Sequence, residues 1–324
     1  MFESLTSSLA SLNPFASDAA TAAPAAAPAF DAAAAAPAAS GAGGGAIDWF
    51  KGLFDHGEPG LGDVVKQNRK DLQEHFALES AKEQLKGKFQ VGEGTGPNAV
   101  SPEEFEKIAK LYGSIRDGKS DIKLDASGVD KDNRGDVRQK ALDDMSTMLT
   151  TPAGRKLLGD LANNEAVDPN DPTKTIHRTT TLKLSDNKFD ENDADAAGMA
   201  AARASGDNDA AKAIEQKATT KGQGVNAVVN FLPGVSKMLD GPNVMSTGDT
   251  ALFHELTHAY HITHGTKIDS GQTYGGEGRD AGQRLEELAT VGLNGHQGEL
   301  LTENEYRRER AQLDPSVQQR PTYH

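Results

Sequence analysis

Apolar positions recur at helical spacing in several stretches of the chain, most of them with a recognisable start signal. Within 47–89, Leu61, Val64, Val65, Leu72, Phe76 and Leu85 fall on one helix face and charged residues fill the rest. Ser101-Pro102-Glu103-Glu104 offers an N-cap, a proline at the first helical position and a glutamate at the third, ahead of the stripe Phe105, Ile108 and Leu111. Thr151-Pro152 opens another helix through Leu157, Leu158 and Leu161. Further on, Ser246, Thr247 and Asp249 are N-cap candidates for a helix carrying Leu252, Phe253, Leu256, Ala259 and Tyr260, and Gly265 suits its end. The period changes at 175–184, rich in β-branched residues with polar alternation, and at 225–232, closed by Pro233-Gly234; both predict strands. The glycine-rich 92–96 is a break between helices, not a phosphate loop, because no strand precedes it.

Composition divides the chain of 324 residues further. Residues 1–46 are mostly Ala, Ser and Pro and end in a glycine run, so they bury too little apolar surface to offset the entropy of ordering. We read them as a disordered export leader, where a secretion chaperone would bind, although the composition alone also fits a plain linker. No Lys or Arg precedes Lys51, which argues against a secretory signal peptide, and the prolines and Asp31 argue against a membrane span. Residues 47–139 form a helical region, and 140–324 the remaining domain. Within it, the acidic Ala- and Asp-rich stretch 185–222 is expected to be a flexible insertion, with Asp190, Glu191, Asp193 and Asp195 a solvated run. Asp130 to Gly135 imitates the start of a calcium loop, but Arg134 and Ala141 stand at ligand positions. A net charge of −14 excludes nucleic acid as the main partner and favours basic surfaces.

The chemistry concentrates in His254-Glu255-Leu256-Thr257-His258, an HExxH pattern. Residues four apart share a helix face, so two imidazoles can bind one Zn²⁺ while Glu255 handles the proton of the attacking water. The chain has no cysteine, so a zinc site must use His and carboxylates, which suits a catalytic site. Two residues compete for the third ligand position. Glu287 sits in Arg284-Leu285-Glu286-Glu287-Leu288-Ala289, which reads as a second helix. His264 has metzincin spacing, but His261 stands where that motif needs glycine. The helical context favours Glu287, with Glu286 orienting a ligand histidine. Strands leading into an HExxH helix fit an α+β, zincin-like protease, in which an edge strand aligns the peptide substrate.

The strings H-E-L-T-H-A-Y-H, E-E-L-A-T-V-G-L and T-E-N-E-Y-R-R-E-R, with T-P-A-G-R-K-L-L upstream, resemble the NleD-like type III effector zinc metallopeptidases of Gram-negative pathogens. The first two strings are also similar to the light chains of clostridial neurotoxins, in which the second glutamate of E-E-L binds zinc; that corresponds to Glu287. Those light chains use an Arg-x-x-Tyr pair against the tetrahedral intermediate, and Arg320-Pro321-Thr322-Tyr323 has its spacing. The resemblance covers roughly 140–324, with 185–222 outside it. It implies a zinc endopeptidase, translocated through a type III system into the host cytosol, that cleaves a host protein, with signalling kinases the targets of one branch. Neither membrane nor nucleic acid is expected as a partner, and the enzyme is expected to act as a monomer.

Overall fold

The computed structural model describes residues 61–92, 94–168, 171–188, 190–239 and 244–323. The leader read at 1–46 and the beginning of the first predicted helical region lie outside them. The chain is α+β. Helix α1 (Leu61–Leu85) is followed by the parallel pair β1 (Gln90–Val91) and β2 (Ala99–Val100), which flanks the glycine-rich break. Helix α2 (Pro102–Arg116) starts as its sequence dictates: the Ser101 hydroxyl accepts the Glu104 N–H at 3.1 Å, with Pro102 in the first turn. After β3 (Ile122–Asp125) come α3 (Arg134–Met148) and α4 (Pro152–Ala162), the latter capped by Thr151, which accepts the Gly154 N–H at 3.0 Å.

The strand predicted at 175–184 is two strands. β4 (Glu165–Asp168) and β5 (Asp171–His177) form an antiparallel hairpin, and β6 (Thr180–Leu184) joins a different sheet. The division falls at Arg178, which is buried and donates to the Gly222 carbonyl at 2.9 Å. β-propensity marks extended backbone but not the partner strand, so this change of sheet has no local signature.

The main sheet has the order β3-β6-β8-β7, where β7 is Asp193–Ala196 and β8 is Ala227–Phe231. β3, β6 and β8 run parallel, and β7 closes one edge antiparallel to β8. β8 alternates as its sequence predicts, with Ala227, Val229 and Phe231 buried and Asn230 exposed. The stretch 185–222 differs from the flexible insertion expected of it. It contributes β7 and the helices α5 (Met199–Ser205) and α6 (Asn208–Thr219). Ala196, Met199, Ala202 and Ala218 are buried, so part of its apolar side chains joins the interior while Glu191, Asp207 and Asp209 face out. Mean composition hides that alternation.

Helix α7 (Gly248–His264), preceded by the short antiparallel pair β9 (Lys237–Met238) and β10 (Met245–Ser246), lies at the centre. Leu252, Phe253, Leu256, Ala259 and Ile262 are inaccessible to solvent and share one core with Leu85, Tyr112, Met145, Leu158, Val229 and Tyr306. That core runs across 139/140, the boundary drawn from sequence, which falls inside α3. Residues from Asp63 onward form one compact unit. Thr247 caps α7, its N–H donating to the Thr250 hydroxyl at 2.8 Å. Helices α8 (Leu285–Val291) and α9 (Glu303–Arg310) then pack against it.

Gly265 ends α7 at φ +69°, and a Cβ there would stand 2.0 Å from the Thr220 carbonyl oxygen. The left-handed backbone and the close approach both require glycine. Gly265→Ala is expected to lower stability by about 1–3 kcal/mol or more. The denaturation midpoint measures this, and an unchanged midpoint would contradict it.

Candidate metal centre

Helical periodicity places His254 and His258 one turn apart on the face of α7 that meets α8. Their Nε2 atoms lie 3.2 Å from each other, and Glu287 Oε2, from α8, is 3.3 Å from His254 Nε2 and 3.2 Å from His258 Nε2. Among the described residues these three form the group able to hold a metal ion, and His264 is not part of it. The His264 ring stacks on Tyr260 with centroids 4.0 Å apart, and its Nδ1 meets the Tyr260 carbonyl at 2.9 Å.

The donor set fits a cation. His254 Nδ1 faces Glu303 Oε2 at 2.9 Å, and His258 Nδ1 faces Glu286 Oε1 at 3.1 Å. A carboxylate only accepts, so each Nδ1 carries a proton, and a ring that gives up its Nε2 proton turns that lone pair into the cluster. Two lone pairs and a carboxylate oxygen then converge at about 3.2 Å, an arrangement that repels itself unless a positive charge sits among them. Two imidazoles and a carboxylate, with no thiolate, are one of the ligand sets that catalytic zinc uses.

Electrostatics give the same answer. Burial works against ionisation of Glu286, Glu287 and Glu303, yet neighbouring cations hold all three well below the ordinary carboxylate value. For Glu303 these are chiefly Arg307 and Arg320. Burial also opposes charge on the histidines, but Glu287 and Glu303 raise His254 to about 9, and Glu286 and Glu287 raise His258 to about 10. The anions of this site therefore need either protons on the imidazoles or a divalent cation. Zinc loading at pH 7 is expected to release about two protons per ion, with apparent affinity rising with pH until the imidazoles, near 9 and 10, are deprotonated. Titration calorimetry in buffers of different ionisation enthalpy measures the release. Heats independent of buffer would contradict it.

Glu255 is buried beside the two histidines, and burial pushes its carboxyl above the ordinary value, countered in part by His254 and His258. It lines a cleft of about 250 Å³ together with His254, His258, Glu287 and Tyr323. Asp193 and Asp195 of the edge strand β7 form another wall. Composition predicts a solvated run for both acids; their neighbourhood to the cluster follows only from the sheet order.

Tyr323 thus reaches the cleft, its hydroxyl raised by burial and by the Glu287 carboxylate. Arg320 stands behind it. Its Nη1 donates to Glu303 Oε2 at 3.0 Å, its Nη2 donates to the Tyr323 carbonyl, and its guanidinium lies 5.0 Å from the Tyr323 ring centroid. Sequence reasoning missed Glu303, the partner of His254. Its available signals were the T-E-N-E-Y-R-R-E-R string and the four-residue spacing from Glu303 to Arg307. Arg307 is wholly buried, donates to Glu303 at 2.6 Å and to the Met245 carbonyl at 2.8 Å, and so ties α9 to β10, just ahead of α7. Asp249 adds to the tie, accepting from Tyr306 at 2.5 Å and Arg310 at 2.9 Å.

Fold and site together define an α+β protein whose central helix presents a His, His, Glu candidate metal centre beside a buried glutamate. Residues 125–323 match the effector protein family Peptidase_M91. The chain belongs to that family, the NleD-like effector metallopeptidases. The match runs through 185–222, the stretch that resemblance of motifs alone had left outside. No curated protein matches the chain. Among the described residues no helix is long and apolar enough to cross a membrane.

Proposed function

We propose that this protein is a zinc-dependent endopeptidase with a zincin-like catalytic domain, translocated into host cells as an effector that cleaves a host protein. The observation that carries the reading is the convergence of His254, His258 and Glu287 beside Glu255 in one cleft. These three residues would hold Zn²⁺, which when bound would supply Lewis-acid polarisation of the scissile carbonyl and of the attacking water. The Glu255 carboxylate takes a proton from that water as its oxygen adds to the carbonyl carbon, and passes it to the nitrogen of the leaving amine. The Tyr323 phenol, held in place by Arg320, donates to the carbonyl oxygen as negative charge develops there. β7, an edge strand on the cleft wall, offers backbone groups to an extended peptide. Signalling kinases as substrates, a chaperone on the leader and a monomeric state belong to the same reading and rest on resemblance.

The test is a comparison of new protein N-termini in host lysate treated with wild type or with Glu255→Gln. Cleavages made only by the wild type are expected, and identical sets of termini would sink the protease reading. One observation favours a second, binding role: Val64, Val65, Leu72 and Phe76 on α1 are exposed, with Phe76 at 67 %. A purely binding effector would keep its full activity in host cells as Glu255→Gln.

A further inference from the structure

We propose that His261 is a positioning residue of the metal centre, acting through Glu286 to hold His258. The inference rests on the zinc reading above. On α7, His258 and His261 are three residues apart and share a face, so both can reach one carboxylate on α8. Glu286 Oε1 accepts from His258 Nδ1 at 3.1 Å and from His261 Nδ1 at 2.8 Å, while its Oε2 accepts the Ile268 N–H at 2.7 Å. Three donors from two segments fix both carboxylate oxygens, and Glu286 is only 4 % exposed.

His258 needs that fixation because its Nδ1 has a competing neighbour, the Thr290 hydroxyl, at 3.2 Å. A carboxylate makes the imidazole a more basic ligand than a hydroxyl does. With His261 present, Glu286 is held against His258. Without it, one donor fewer restrains the carboxylate, and the ring can turn toward Thr290, taking its Nε2 out of line with His254 and Glu287. His261 itself is no ligand: its Nδ1 is spent on Glu286, and the residue lines a separate pocket with Tyr260, Thr266 and His296. The third histidine of H-E-L-T-H-A-Y-H therefore supports the second.

The imidazole Nδ1 is the atom that matters, and side chains of different length separate this role from packing. Asn places its amide nitrogen where Nδ1 stands, Gln reaches to the position of Nε2, and Phe keeps the ring without a donor. Zinc dissociation constants by chelator competition are expected to rise about 10–100-fold in His261→Phe and in His261→Gln, and to stay near wild type in His261→Asn. With a cleavable peptide, His261→Phe is expected to lower kcat and leave KM unchanged. Wild-type zinc affinity in His261→Phe would overturn the proposal. So would His261→Asn binding as weakly as His261→Phe, or losses confined to the melting temperature in all variants. Failure of the wild type itself to bind zinc would overturn the metal reading instead.

Discussion

Glu255→Gln is expected to lose about 10²- to 10⁴-fold in kcat while keeping its bound metal. The substitution preserves volume and leaves His254, His258 and Glu287 untouched, so the metal cluster keeps its ligands. What disappears is, among the described residues, the buried carboxylate of the cleft that is neither in that cluster nor hydrogen-bonded to His254 or His258. An amide cannot accept the proton of the attacking water, and the leaving amine departs unassisted. Because burial raises the Glu255 carboxyl, the wild-type rate is expected to fall on the acid side at a pH above the ordinary carboxylate value of 4.5. Glu255→Gln is expected to lose that limb of the profile. Steady-state kinetics on a peptide bearing a site found in lysate, with metal content measured alongside, provides the check. Full activity would remove Glu255 from the mechanism. Loss of metal together with activity would assign it a structural part.

The largest stability effect is expected at Glu303. This carboxylate is 1 % exposed and receives Arg307 Nε at 2.6 Å, Arg320 Nη1 at 3.0 Å and His254 Nδ1 at 2.9 Å. Glu303→Ala leaves two guanidiniums buried without their anion, a loss of about 3–5 kcal/mol for a broken buried pair. His254 also loses the acceptor that fixes its tautomer, so zinc affinity is expected to fall about 10–100-fold besides. Arg308→Ala breaks the outward-facing pair with Glu305 on the same helix and is expected to change stability by no more than about 1 kcal/mol. Chemical denaturation of both variants separates the two, and equal midpoints would refute the argument.

The pH dependence has a definite sign. Glu303 is held below its unfolded value of 4.5, so its contribution is present above that pH and is lost as pH falls through the lower, folded value. Acid unfolding of the wild type should therefore begin below about pH 4.5 and be weaker in Glu303→Ala, which has less to lose.

How far each part of the site could be read depended on whether its determinants were local. His254, Glu255 and His258 lie within one helical turn and a half, and helical geometry alone puts the two imidazoles together. Glu287 was legible because its helix announces itself and its string resembles those of known metallopeptidases. In space Glu287, and not His264, lies with the two histidines: His264 is one turn beyond His261, stacked on Tyr260. The caps at Ser101, Thr151 and Gly265 were equally readable, since each depends on side chains within a few residues.

Other features depended on residues distant in sequence. Nothing near Asp193 indicates that it borders the cleft; β7 arrives there because it pairs with β8, and α7 packs beneath both. Nothing near Glu303 names His254 as its partner 49 residues away. Arg178 gives no sign that it separates two sheets. By itself the sequence determined the helix starts, the helix that carries His254, Glu255 and His258 and the types of its candidate metal-binding side chains, because backbone periodicity and capping act over single turns. The tertiary structure alone decided the edge strand at the cleft, the Glu286 bridge from His258 to His261 and the arginine-bound Glu303. Each of these is a hydrogen bond or a strand pairing between distant segments, brought together only when the common core closes around α7.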